Sequence, residues 1–465
     1  MLKGLAGVTK IYFIGIKGVA MSGLAVICKQ LGFQVAGSDV AQTFITDATL
    51  HRNDILVYQG FAQKNLDWQP DVVVIGTSWG KDNIEVSEAH VRGIRCMTDS
   101  EMRGLLSASQ KTIAVTGVHG KTTTTALLSH IFNVAQREPS YLIGTGTVRD
   151  LGANAAWGNG GYFIVEGDEY CKSQEDKTPK FLDLHPALSI ITSLEWEHVD
   201  VFRDLAMMED AFVRLIEKTS EQVIACGDWP SIVKITASFR DRVVLYGTQS
   251  HNDIRVDDIH IDAQGTSFML VDLAGNKQHY RVSLCGTHNA LNATAAIIAA
   301  RRESIADEAI RTGLETFTGT QRRFDVTHHG KQVWIDDYGH HPTEVKVTLE
   351  AIRKRFMDKT IWCIFQPHSF TRTQALLKDF AHAFAAVHMV GIVDIFSSAR
   401  EHGGRVTAAD LAREIAHYHP DARYLGSLQD AIAYVRTHVP DDAVIVTMGA
   451  GDVYTIRDTL LGLDH

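Results

Sequence analysis

The run IAVTGVHGKTTTT, from Ile113 to Thr125, leads from an apolar stretch through two glycines into a lysine and four threonines. An apolar strand that passes through glycines into a helix start turns backbone N–H groups and the positive helix end toward one point, which suits an anion. Lys121 can reach the outer phosphates of a nucleotide, and the Thr122 hydroxyl can sit on Mg²⁺. The common spacing G-x-x-x-x-G-K-[ST] would put a glycine at Val115, so this loop is a shorter version of that pattern. A tight strand-to-helix turn with a surface lysine is the plainer alternative. Four threonines in a row are poor helix starters unless their hydroxyls are used, which favours the phosphate site. Lys121 is then expected to pair with ligand and not with the protein interior.

Acids gather at two later places. EGDEY puts Glu166, Asp168 and Glu169 at the end of one apolar run, and SLEWEH puts Glu195, Glu197 and His198 at the end of another. Carboxylates at the carboxyl ends of parallel strands line the ligand crevice of an α/β sheet, and oxygen donors there suit Mg²⁺. Solvated strand ends are the alternative. Further on, the adjacent arginines Arg322 and Arg323 precede DDYGHHPTEV, residues Asp336 to Val345. Arginines can clamp phosphate oxygens in a bidentate manner. Two aspartates with His340 and His341 could instead form a zinc site, but no further histidine or cysteine lies at ligand spacing nearby. FQPHSFTRT offers His368 and Arg372 on a loop, a place to hold a small carboxylate. GIKGVAMSG, Gly15 to Gly23, follows the first strand, and GSD, Gly37 to Asp39, ends the second. The spacing G-x-x-G-x-x-x-x-G departs from the dinucleotide fingerprint, so a nucleotide diphosphate fits there as well as NAD does.

These groups need elements to hold them, and the chain has room for about three domains at 465 residues. With 45% hydrophobic and 22% charged residues it has the composition of an enzyme with full cores. A net charge of −10 argues against general nucleic-acid binding. No apolar run approaches bilayer length, no signal peptide is expected, and six scattered cysteines without a C-x-x-C pair suit reduced thiols in a cytoplasm. KIYFIGI, FQVAGSD, DVVVIGTS, IAVTG, YFIVEG, LSIITS, VWIDD, TIWCIF, HMVGIVDIF and DAVIVTMG read as strands, with helical spacing in MSGLAVICKQLG, from Lys121, in THNALNATAAIIAARR and in PTEVKVTLEAIRKRF. Residues from about Ile254 to Leu284 alternate as a small antiparallel sheet attached to the parallel core. The expectation is three α/β domains, 1–108, 109–320 and 321–465.

Taken together and in order, GVHGKTTTT, EGDEY, EWEH, GTHNALNATAA, RRFD, DDYGHHPTEV, FQPHSFTRT and TMGAGD resemble the Mur ligase family over nearly the whole chain. The resemblance implies a Rossmann-like UDP-sugar domain, a central P-loop ATPase domain and a Rossmann-like C-terminal domain that contacts the incoming amino acid. It implies an ATP-dependent ligase of peptidoglycan synthesis that uses Mg²⁺ and phosphorylates the lactoyl carboxylate of UDP-N-acetylmuramate before an amine attacks. It assigns Gly117, His119, Gly120, Lys121, Thr122, Thr123, Asn289, Arg323 and Asp337 to ATP, and Thr122, Glu166 and His198 to metal. Lys121, Glu166, His198, Arg323 and His340 would carry the chemistry. His340, His368 and Arg372 would hold the amino acid, and Gly15, Gly18, Ser22 and Asp39 the UDP-sugar. The motifs point to L-alanine as the amine. The long segment EYCKSQEDKTPKFLDLHP instead resembles the branch that attaches a tripeptide, and Lys17, Ala20 and Gly167 depart from the alanine-adding pattern. A monomer or dimer without nucleic-acid or membrane partners is expected. A nicotinamide-dependent oxidoreductase and a non-catalytic nucleotide-binding regulator are the other classes that these features admit.

Overall fold

The computed structural model describes residues 2–196, 201–397 and 403–463. The chain divides into two compact units. One comprises Met1–Asp258, Phe268–Arg281 and Ala290–Thr318, and the other Ile259–Ser267, Val282–Asn289 and Gly319–His465.

The first sheet has five parallel strands in the order Leu56–Gln59, Gln34–Asp39, Lys10–Ile14, Val72–Ile75 and Arg95–Thr98. Ile11 to Ile14 and Val72 to Val74 are fully buried, as expected for strands covered on both faces. Strand order reverses between Lys10–Ile14 and Val72–Ile75, so the ligand crevice of this sheet opens beyond the carboxyl ends of those two strands. The helix Val19–Gln30 stops just before Gly32, whose φ of +93° suits a residue without a side chain. The helix Asp99–Ser107 starts at a capping box in which Thr98 and Glu101 satisfy each other's backbone N–H groups.

In the second sheet, Val243–Gly247, Gln222–Cys226, Pro186–Ile191, Lys111–Thr116, Tyr162–Glu166 and Ser140–Leu142 lie side by side and parallel. Ala155–Ala156 closes one edge antiparallel to Ser140–Leu142. The strands Ile254–Asp262, Gly265–Asp272 and Lys277–Val282 follow Val243–Gly247 as outer neighbours in this same ten-stranded sheet.

The third sheet runs Asp325–His329, Gln332–Asp337, Val444–Met448, Ile361–Phe365, Met389–Val393 and Ala422–Gly426. Its first pair is antiparallel and the rest are parallel. Adjacent residues send their side chains to opposite faces. Ile335 and Phe365 therefore join one apolar layer with Leu349, Phe384 and Leu411, while Trp334 and Ile364 join another with Ile445 and Ile456. The helix Pro342–Arg355 is fixed at its start by His341 and Glu344, which form a capping box, with proline at its first position. Among the described residues no helix is long and apolar enough to cross a membrane. All six cysteines are free thiols, and all but Cys96 are buried.

Candidate active site

The lysine loop joins the strand Lys111–Thr116 to the helix Lys121–Val134. Gly117 and Gly120 have φ values of +123° and +81°. A Cβ at Gly117 would stand 2.4 Å from Thr192 Oγ1, and one at Gly120 2.4 Å from Asn292 Oδ1, so both glycines are demanded by space as well as by backbone. Ser193 holds the loop's outer turn, its hydroxyl accepting from Val118 N at 3.1 Å and His119 N at 2.7 Å. His119 Nε2 pairs with Glu195 Oε1. Lys121 Nζ donates to Gly117 O at 2.7 Å and Val118 O at 3.0 Å, and meets the buried Glu169 carboxylate at 2.8 and 2.9 Å. The lysine expected to pair with ligand therefore has a protein partner. The Thr122 hydroxyl donates to Glu166 Oε1 at 3.0 Å, while Glu166 Oε2 accepts from Gly144 N at 2.7 Å. Thr125 spends its hydroxyl on Lys121 O and Thr123 is half-buried, so of these threonines Thr122 is the one tied to a strand-end acid.

Next to these acids lies a buried ion cluster to which the segment that the sequence marked as unusually long contributes Lys180. Arg103 and Lys180 both contact Asp99, Lys180 Nζ at 3.1 Å, and Lys180 reaches Asp168 Oδ2 at 3.5 Å. Arg103, Asp99 and Lys180 have side chains 5%, 2% and 9% exposed, so these charges stand almost entirely out of water. Burial works against ionising Asp168, but Lys180 and Arg103 outweigh it and hold its carboxyl well below the usual range. Asp99 is lowered in the same way. The segment that supplies Lys180 is pinned at Gln174, which donates to Ser78 O, and at Asp183, which accepts from Ser100.

In the second unit the two arginines part. Arg322, with φ +60°, turns inward to pair with the fully buried Asp336 at 3.3 Å and to donate to Gly449 O. Both guanidinium groups lie over the Tyr338 ring at 5.0 Å, and Arg323 is the more exposed of the two. Left-handed φ values at Arg322 and Phe324 are costly for residues with side chains. Asp337 accepts from Phe324 N and Gly339 N, both at 2.8 Å, and burial pushes its carboxyl up to about 6 against the pull of Arg323. His340 and His368 stand edge to face at 5.9 Å, and Arg372 Nη1 lies 3.3 Å from His368 Nδ1. Two motifs nearly thirty residues apart in sequence thus meet in space. Asn289 donates to Cys285 O at 2.9 Å. His198 lies outside the described residues.

At the switch point of the first sheet, Gly15 has φ +83° and Trp79 covers it, with Nε1 2.4 Å from where a Cβ would stand. Gly18 precedes the helix Val19–Gln30, and Asp39 accepts from Lys17 N at 2.7 Å and Val40 N at 2.8 Å. Burial raises the Asp39 carboxyl. Ser22 is fully buried within the helix, its hydroxyl on Val19 O.

Residues 10–111 match the family model described as Mur ligase family, catalytic domain, residues 115–300 the Mur ligase middle domain, and residues 322–451 the Mur ligase, glutamate ligase domain. The chain is 34% identical over 458 residues to the UDP-N-acetylmuramate–L-alanine ligase of Acetivibrio thermocellus, spanning 97% of this chain and 95% of that one. The chain belongs to the Mur ligase family. In fold it is similar to the crystal structure of a UDP-N-acetylmuramate-alanine ligase from Thermotoga maritima, with a TM-score of 0.83 at 23% identity over 97% of this chain and 98% of that one. It is also similar to a murein peptide ligase from Psychrobacter arcticus, with a TM-score of 0.73 at 23% identity over 98% of both.

The Mur ligase loop in this chain fits a nucleotide phosphate accompanied by Mg²⁺. A hydroxyl from Thr122 and a carboxylate from Glu166 stand 3.0 Å apart beside the lysine, and hard oxygen donors are what Mg²⁺ takes. Sequence reasoning missed Asn292, although it sits in the same HNALN motif as Asn289, and missed Ser193, Arg103 and Lys180. Gly120→Ala is expected to cost roughly 1–3 kcal/mol through its left-handed backbone and the displacement of Asn292. Thermal unfolding together with the nucleotide KM would check this, and a variant equal to the parent in both would refute it.

Proposed function

We propose that this chain is an ATP-dependent ligase that joins L-alanine to the lactoyl carboxylate of UDP-N-acetylmuramate in the cytoplasm, with domains at 1–108, 109–320 and 321–465. A carboxylate oxygen of the sugar acid attacks the terminal phosphorus of ATP and ADP leaves. The amine then attacks the resulting acyl phosphate, losing a proton as inorganic phosphate departs. The observation that carries the proposal is the contact of Lys121 with Glu169 and of its neighbour Thr122 with Glu166, at adjacent strand and helix ends. Lys121 would hold the outer phosphates and offset the charge that builds as two anions approach. Thr122 and Glu166, with His198, would hold Mg²⁺, which supplies Lewis-acid neutralisation of the phosphoryl oxygens when bound. Arg323 would meet phosphate and Asp337 the ribose. Gly15, Gly18 and Asp39 at the switch point of the first sheet would hold the UDP-sugar.

A tripeptide in place of L-alanine has one structural feature in its favour, the long 169–186 segment with its buried Lys180. Phosphate release with ATP, Mg²⁺ and UDP-N-acetylmuramate, given either L-alanine or the tripeptide, distinguishes the two. No release with either amine would sink the proposal. His340, His368 and Arg372 form the candidate amino-acid site. Arg372→Ala should raise the KM for the amine with a smaller change in kcat, as loss of a carboxylate contact does. An unchanged KM would disconnect this cluster from the amine.

A further inference from the structure

Thr77, just past the strand Val72–Ile75, stands at the crevice of the first sheet, and its hydroxyl donates to Asp99 Oδ1 at 3.3 Å. Asp99 Oδ2 takes the ammonium of Lys180 at 3.1 Å, and Lys180 reaches Asp168 Oδ2 at 3.5 Å. Asp168 lies in sequence between Glu166, which meets Thr122, and Glu169, which meets Lys121. One chain of contacts thus runs from the crevice of the first sheet to the lysine loop of the second, and all of it lies within one compact unit. Across the same seam Ser100 donates to Asp183 and Gln174 to Ser78 O. Buried ion pairs are weak as a source of stability but strict about geometry. A slide of one sheet against the other would leave Arg103 and Lys180 out of water and away from their acids.

Resting on the ligase reading above, we propose that Lys180 is a positioning residue that latches the first sheet to the second. A sugar acid held in the one crevice and a nucleotide held at the lysine loop then meet at a fixed separation. Lys180 touches neither ligand in this role. Its effect falls on the step in which the two react, since a misplacement of about 1 Å caused far from the chemistry can cost about a hundredfold in rate. Affinity for each ligand is set by the sheet that holds it and stays as it is.

The test is steady-state phosphate release by the full-length protein with ATP, UDP-N-acetylmuramate and the amine that supports turnover, reading kcat apart from the KM of each substrate. Lys180→Met keeps the length and removes the charge. It should lower kcat at least about tenfold, while the KM values for ATP and the UDP-sugar stay near those of the parent. Lys180→Arg keeps the charge and should retain most of kcat. Lys180→Gln is a second uncharged variant in case the methionine one folds poorly. Amide hydrogen exchange gives a reading that needs no turnover. Lys180→Met should speed exchange in Asp99–Ser107 and in residues 170–183 together, and leave Lys10–Ile14 as protected as in the parent. A folded uncharged variant with the parent's kcat would overturn the proposal, as would an equal loss in Lys180→Arg or a loss confined to the KM for ATP. Parent protein that releases no phosphate would instead remove the ligase reading, and unchanged exchange in Lys180→Met would refute the latch in either case.

Discussion

Lys121→Ala should stop turnover, with a loss on the order of 3 kcal/mol or more in the barrier, comparable to removing one donor that stabilises transition-state charge. That is at least about a hundredfold in rate. The lysine also has a structural consequence that its loop motif does not reveal. Its removal takes from the Glu169 carboxylate, 3% exposed, the ammonium 2.8 Å away. Breaking a buried pair by removing one partner can cost about 3–5 kcal/mol, with the part-exposed lysine placing this case at the low end. The alanine variant should therefore unfold at a lower temperature than the parent. Adding Glu169→Gln should recover most of that stability and none of the turnover. Steady-state phosphate release and thermal denaturation on the single and double variants check both halves. Near-wild-type turnover by Lys121→Ala would remove its catalytic role, and a double variant no more stable than the single would remove the pairing.

The second large effect concerns Asp99. Among the described residues it alone pairs with both Arg103 and Lys180, and all three are nearly excluded from water. Asp99→Ala leaves two buried cations without the acid that pairs with both, so a loss of about 3–5 kcal/mol in unfolding free energy is expected. Denaturant unfolding would measure it. The pH dependence follows from the direction of the shifts. Asp99 and Asp168 both titrate below the ordinary 3.8 in the folded chain, so their contribution is fully present above that value and is lost as pH falls through their folded values. The gap between parent and Asp99→Ala should therefore be widest near neutrality and narrow in strong acid. A gap that stays constant down to acid pH would mean that the cluster contributes through packing and not through charge.

Much of the fold was legible because its signals are local. Lys10–Ile14, Val72–Ile75 and Lys111–Thr116 contain the apolar runs IYFI, VVVI and IAV, each followed by glycine or a polar residue. Ala422–Gly426 escaped notice because an edge strand buries little, and most of its side chains are at least partly exposed. The grouping of His340 with His368 and Arg372 followed only from the family resemblance, whereas the lysine loop and the strand-end acids were readable as chemistry. The separate courses of Arg322 and Arg323 were not, since two identical neighbours give no sign of which one turns inward until the left-handed backbone at Arg322 is seen.

By itself the sequence determined which residue types stand at the strand ends and in the loops after them, because alternation of apolar runs with glycine-bounded turns is a property of consecutive residues. Tertiary structure alone decided the partners of those residues. Lys121 meets Glu169 across 48 positions, and Asp99 meets Lys180 across 81. Such pairings depend on how separate strands and helices pack, and burial then turns a modest surface attraction into a strong coupling that no short stretch of chain encodes.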